Sequence, residues 1–423
     1  MTYEVINRKI DKFILVIIVI MMSGASLLND HDELLIIIFT LMGSAMLARK
    51  QRINPFIIGV IVLWLFINII SFLYNETGLS LNTFLGYLLR LLIPFFGLKL
   101  IGITFWEKLE NLIYKMALLT IPIFILDLIF PEIFNALKPI FEPLTSNTFY
   151  RKESQSSYWY SFFYTHSGRE GIRNSGFMWE PGAFAMVLVL MIIYNWCTKG
   201  FRFSKRVWIY SILIITTFST AGYLALAFLL VAYVQKAKKL HVSVISMVLL
   251  IVFVLVGRSM DFLGPKIERF LSETENNILY EQGYSNRYEA NRVAYFLINL
   301  TKSIELPTGY GVVEDKESFF SVQKIVGVNG LGDILLMWGW LGLLFVLFSI
   351  FKFCSAISTV NLSYFTIFLL SIAILITFFS NPIETNPILF LVVFTPHIFK
   401  IKEQLHEFDF QQMLEDHKQN IAK

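Results

Sequence analysis

Three arginines and a carboxylate are the side chains whose types and spacing could do chemistry. Arg173 and Glu180 lie in Arg173-Asn-Ser-Gly-Phe-Met-Trp-Glu180-Pro181, at the edge of an apolar run. Pro181 suits the first position of a helix, which puts Glu180 at its cap. There the carboxylate is stabilised by the helix dipole, or it acts as a general base that takes the proton of an attacking hydroxyl. Arg173 sits just before the run, where an anion could meet it. Further on comes Ser285-Asn-Arg287-Tyr-Glu-Ala-Asn-Arg292, in which Asn286 and Glu289 have the form of a capping box. That spacing predicts a helix start with Arg287 in the first turn, where its guanidinium and the free backbone N–H groups favour a phosphate. Arg292 is five residues on, about 140° round the helix, so the pair would flank an extended ligand and not grip one oxygen. Pairing of both arginines with Glu281 and Glu289 is the alternative.

Other polar groups are more isolated. Arg90 falls about seven residues into an apolar run, where an arginine is costly unless paired or facing water, and Asp127 is a candidate partner at similar depth. Asn329 and Asp333, in Val-Asn329-Gly-Leu-Gly-Asp333, head another run and are expected at the same surface as Glu180. The aromatic stretch Tyr158-Trp159-Tyr-Ser-Phe-Phe-Tyr164 could stack on sugar rings or anchor at a lipid interface; Tyr288 and Tyr295 lie close to the arginines. Missing are a Gly-rich phosphate loop, a nucleophile elbow and a His or Cys ligand cluster, so neither a metal nor another cofactor is expected.

The elements that must position these groups are membrane spans. Of 423 residues, 56% are hydrophobic and 16% charged. Mean hydropathy is +0.63, which marks an all-α polytopic membrane protein. Apolar runs at about 13–28, 34–47, 55–74, 83–104, 111–130, 182–197, 207–219, 221–235, 240–256, 332–351, 362–380 and 386–399 predict about 12 transmembrane helices. The first follows Arg8, Lys9 and Lys12 and reads as an uncleaved signal anchor. Basic connections at 48–52, 199–206 and 235–239 should be cytoplasmic, and all agree with a cytoplasmic N-terminus. Parity then breaks Val207–Val234 into two crossings at Phe218-Ser-Thr-Ala-Gly-Tyr223. Two long loops, about 131–181 and 258–331, share the extracytoplasmic side and should carry short helices. Residues 1–399 read as one transmembrane domain and 400–423 as a cytoplasmic tail. The net charge of +4 is accounted for by topology, and no nucleic-acid partner is implied. Cys197 and Cys354 fall at cytoplasmic ends, so no disulfide is expected.

The layout of an arginine and Glu-Pro before a mid-chain span, a Ser/Thr break, and a large outer loop with Asn-Arg…Arg, Pro307-Thr-Gly-Tyr-Gly311 and Gly339-x-x-Gly342 resembles the O-antigen polymerase and ligase superfamily. That resemblance covers about Arg173 to Gly342. It implies a bacterial inner-membrane glycosyltransferase of the GT-C type, acting at the periplasmic face on undecaprenyl-diphosphate-linked glycans, both donor and acceptor, and needing no metal. A chain-length regulator and a flippase would be its further partners. It also implies that Arg173, Arg287, Arg292 and, more weakly, Arg90 hold the lipid diphosphate. Glu180, ahead of Asp333, would serve as base, with Tyr158, Trp159, Tyr288, Tyr295 and Asn329 toward the glycan. Ligases that transfer glycan to lipid A core usually carry a histidine in the second outer loop; residues 258–340 contain none, which favours a Wzy-type polymerase of surface polysaccharide. A ligase is the alternative within the superfamily, and a lipid-linked oligosaccharide flippase the alternative outside it.

Overall fold

The computed structural model describes residues 3–51, 55–75, 81–146, 158–166, 173–236, 288–289, 292–311, 325–326 and 329–399. The expected span at 240–256, Arg287 with Asn286 of its capping box, and the tail at 400–423 lie outside the described residues. Eleven of the twelve apolar runs coincide with helices. These are α1 (Tyr3–Met22), α2 (Asp32–Ala48), α3 (Pro55–Asn75), α4 (Leu81–Ile101) and α5 (Phe105–Ile129), and then, beyond the first loop, α8 (Pro181–Lys199), α9 (Lys205–Thr216) and α10 (Thr220–Lys236). The last are α12 (Gly330–Ala356), α13 (Tyr364–Phe379) and α14 (Pro387–Ile398). Among the described residues three helical stretches, Phe84–Ile129, Pro181–Lys199 and Gly330–Ala356, are long and apolar enough to cross a membrane. Shorter apolar helices accompany them.

Interhelical contacts sort the helix ends into two sets. At the basic end, Arg49 beyond α2 and Lys108 of α5 hold Asp11 of α1 at 3.3 and 2.7 Å, and Arg49 donates to Leu100 O in α4 at 2.7 Å. Glu110 of α5 is fully buried there and ties in Asn195, Arg206 and Tyr210. At the other end, Trp179 N donates to Ser23 O at 2.8 Å and Asn386 Nδ2 to Met22 O at 2.9 Å. Arg49, Lys199 and Arg206, from two of the basic connections, thus gather at one end. Helix α8 is apolar all round and runs through the middle, buried from Ala183 to Cys197. Cys197 and Cys354 are buried and unbridged.

Two breaks inside spans shape the loop-bearing end. The chain turns between α9 and α10 at Thr217-Phe218-Ser219, as parity requires, with Phe218 at a φ of 46°. Helix α12 is broken at Gly339, whose φ is 64°. The Pro307–Gly311 turn fills this break. Tyr310 N and Gly311 N donate to Leu336 O and Met337 O at 2.8 and 2.9 Å, and Trp340 N donates to Pro307 O at 3.0 Å. Carbonyls freed by the break thus find backbone partners, as irregular backbone within a bundle must. Gly339 admits the turn, since a Cβ there would lie 2.1 Å from Pro307 O.

The first long loop carries α6 (Pro131–Ala136), α7 (Lys138–Phe141) and an antiparallel hairpin of β1 (Trp159–Ser161) and β2 (Tyr164–His166). In the second, β3 (Tyr288–Glu289) pairs in parallel with β4 (Ile325–Val326), and α11 (Arg292–Glu305) packs along α12. Glu289 is therefore in a strand, and the helix begins at Arg292, later than the capping-box pattern predicts.

Candidate functional site

The N-terminus of α8 is where the sequence-predicted groups meet. Glu180 occupies its N-cap position with extended backbone (φ −152°, ψ 160°), yet its side chain makes no capping hydrogen bond to the helix. Its carboxylate turns toward Gly182. A Cβ on Gly182 would lie 2.9 Å from Asn381 Oδ1, 3.5 Å from Glu180 Oε1 and 3.7 Å from Ser219 Oγ, so three oxygens from three segments converge over this glycine. Asn381 follows α13 and is fully buried; its Nδ2 donates to Thr377 O at 2.6 Å, while Oδ1 has no partner among the described residues. Ser219 Oγ accepts from Gly222 N at 3.3 Å.

Arg173 approaches from the loop before α8. Its Nε and Nη2 donate to Thr217 O and Phe218 O at 3.3 and 3.2 Å, so the guanidinium closes the α9–α10 break. Asn174 reinforces this through Thr216, with its backbone N at 3.1 Å from Thr216 O and its Nδ2 at 3.0 Å from Thr216 Oγ1. Burial is the largest influence on the Arg173 pKa and lowers it. Glu180 acts in the opposite direction, Arg292 lowers it further, and Tyr223 raises it. Arg173, Glu180, Arg292 and Tyr223 thus share one electrostatic neighbourhood, and two guanidiniums in it repel each other. Such an arrangement attracts a multivalent anion beside a carboxylate that can accept a proton.

Arg292 is held there by its backbone. Asn329 Nδ2 donates to Arg292 O at 2.8 Å, while Asn329 Oδ1 accepts from Gly332 N at 2.8 Å and caps α12. Asn329 therefore positions an arginine and is not a free glycan contact. Tyr295, also expected near the glycan, is buried, and its hydroxyl donates to Asp333 Oδ1 at 2.9 Å. That bond joins α11 to α12 and commits the second candidate base to a structural pair. Of Tyr288 only the strand backbone is described.

Two further expectations are corrected. Arg90 is held by Asn29 O at 2.7 Å and Asp32 Oδ1 at 3.3 Å, so its charge is satisfied by the α1–α2 connection and not by Asp127. Asp127 Oδ2 instead takes the Tyr164 hydroxyl at 2.7 Å and faces His166 Nδ1 at 3.0 Å. Neither Tyr158 nor Trp159 offers a ring face to a sugar or to lipid. Both are buried, and Trp159 stacks on Phe141, His166 and Phe134 at centroid distances of 4.7, 5.7 and 6.0 Å. The hairpin buries Tyr158, Trp159, Tyr160 and Tyr164 alike. Phe162 and Phe163 at its tip remain exposed.

Asn381, Ser219 and Tyr223 were not singled out as chemical groups by sequence reasoning. Ser219 and Tyr223 lie within the Ser/Thr break, and Asn381 belongs to the polar run Ser380-Asn-Pro-Ile-Glu384-Thr-Asn386 between two apolar stretches, which was the available signal. Comparison of the chain with protein families, characterised proteins and solved structures finds no match.

Proposed function

We propose that the chain is a membrane glycosyltransferase that polymerises lipid-diphosphate-linked oligosaccharide units, with undecaprenyl diphosphate as the carrier at the periplasmic face of a bacterial inner membrane. The observation that carries this reading is the Glu180 carboxylate over Gly182 at the N-terminus of α8, with Arg173 fixed on the adjoining α9–α10 break and in electrostatic reach of both Glu180 and Arg292. Two cations suit a diphosphate, and one carboxylate suits an acceptor hydroxyl. In the reaction the acceptor hydroxyl oxygen bonds to the donor's anomeric carbon as the bond from that carbon to the diphosphate oxygen breaks. The electron pair leaves with the diphosphate, and the hydroxyl proton passes to Glu180. Negative charge grows on the leaving group, and Arg173 and Arg292 stabilise it without reorganising. On this reading twelve crossings with both termini cytoplasmic set the site at the outer face. The bilayer, the two lipid-linked substrates, a flippase and a chain-length regulator are the partners this reading names.

A deletion strain tests it through its surface polysaccharide and lipid-linked intermediates. Collapse of the polymer ladder to single repeat units on lipid A core is the expected result, with the ladder restored by the wild-type gene. Full-length polymer accumulating on the lipid carrier above bare core would make the chain a ligase. Repeat units trapped at the cytoplasmic face would make it a flippase.

A further inference from the structure

We infer that the cleft between α1 and α5 at the basic end binds an anionic membrane phospholipid by its headgroup. This inference does not rest on the polymerase reading. The cleft has a volume of about 510 Å³ and is lined by Asp11, Lys12, Leu15 and Val16 of α1 and by Lys108, Asn111, Leu112 and Lys115 of α5. Its size falls within the range of sites that hold small molecules. Lys108 and Lys115 are seven residues apart, so they lie on one face of α5 two turns from each other. The one acid in the cleft is already neutralised, since Asp11 takes Arg49 at 3.3 Å and Lys108 at 2.7 Å. Lys12 and Lys115 are exposed and have no ion-pair partner among the described residues.

The lining is divided in a way that selects its occupant. Leu15, Val16 and Leu112 form an apolar floor, and the lysines form a cationic rim that long stems allow to reach headgroup depth. A soluble anion would leave the floor wet, and a zwitterionic lipid would bring an ammonium against Lys12 and Lys115 along with its phosphate. An anionic phospholipid satisfies both, with acyl methylenes on the floor and phosphate between the lysines. Both helices carry their lysines toward the same end as Arg49, where attraction to an anionic leaflet acts.

The test is native mass spectrometry of the purified full-length protein with phosphatidylglycerol or phosphatidylethanolamine of matched chains. Phosphatidylglycerol should be retained preferentially, and a Lys12→Gln/Lys115→Gln double variant should lose roughly tenfold or more of that preference, given the attraction typical of two lysines at an anionic surface. Lys205→Gln, in another basic connection, should retain it. Equal retention of the two lipids by the wild type would overturn the proposal. So would an unchanged preference in the double variant, or an equal loss in Lys205→Gln. Unaltered thermal unfolding of the double variant shows that any loss belongs to the site.

Discussion

Arg173 offers the sharpest test, because structure and chemistry assign it different magnitudes. Structurally it makes two hydrogen bonds, at 3.3 and 3.2 Å, to the carbonyls of Thr217 and Phe218. Charged donors contribute more than neutral ones, but both bonds are long and the side chain is only half-buried. Their joint loss in Arg173→Ala should cost about 1–2 kcal/mol of stability; the lost attraction to Glu180 outweighs the relieved repulsion with Arg292, while removing a buried charge works in the opposite direction. The protein should therefore still accumulate in the membrane. Chemically, removing one fixed charge aimed at a leaving diphosphate costs about 3–4 kcal/mol of transition-state stabilisation, or a hundred- to thousandfold in rate. The assay is glycan elongation by purified protein on lipid-linked repeat units, with thermal unfolding measured on the same preparation. Arg173→Lys keeps the charge without the fork and should recover part of the rate. Elongation at the wild-type rate in Arg173→Ala would refute the assignment, as would a rate loss that merely tracks unfolded protein.

Glu180→Gln should slow elongation by roughly 10²–10⁴-fold with little change in unfolding temperature, because no side-chain capping bond is lost; a fully active variant removes the base role. Gly339→Ala should fail to accumulate or should unfold far below the wild type, at a cost of roughly 3 kcal/mol or more, since its Cβ would meet Pro307 O at 2.1 Å. Survival of that variant with normal unfolding would show that the turn does not occupy the break. Burial pushes the Tyr160 phenol from 10.0 up to about 12. A raised folded value favours the neutral form, so this contribution is whole below pH 10 and declines from there toward pH 12. Tyr160→Phe should flatten that part of the unfolding-temperature profile, and an unchanged slope would mean that the loop does not carry it.

Much of the scaffold was legible because each span is written in contiguous residues. Mean hydropathy and run length identify eleven described helices, and basic residues of two connections gather at one end of them. Parity called for an even number of crossings in Val207–Val234, and the small residues at 218–223 located the break. Legibility ended where partners come from distant segments. Arg90 and Asp127 share a depth, and depth suggested a pair, but neighbours around a bundle are set by packing; Asp32 and His166 reached them first. The aromatic run looked like an exposed platform because composition does not say which face a short hairpin presents. Asn329 and Tyr295 looked like ligand contacts because nothing local reveals that one caps α12 and the other meets Asp333.

Arg173 and Glu180 are close in sequence and adjoin the same helix start, so their proximity was readable in advance. Their meeting with Arg292 and Asn381 was not, because those residues come from segments that begin more than a hundred positions away. Burial drives polar groups in such a bundle toward partners, and which partner each finds depends on the order in which helices surround α8. Hydrophobic periodicity and charge are additive along the chain and survive without the fold. The convergence over Gly182 is a property of packing, and it exists only once Arg173 closes the α9–α10 break and the α13–α14 connection brings Asn381 above the glycine.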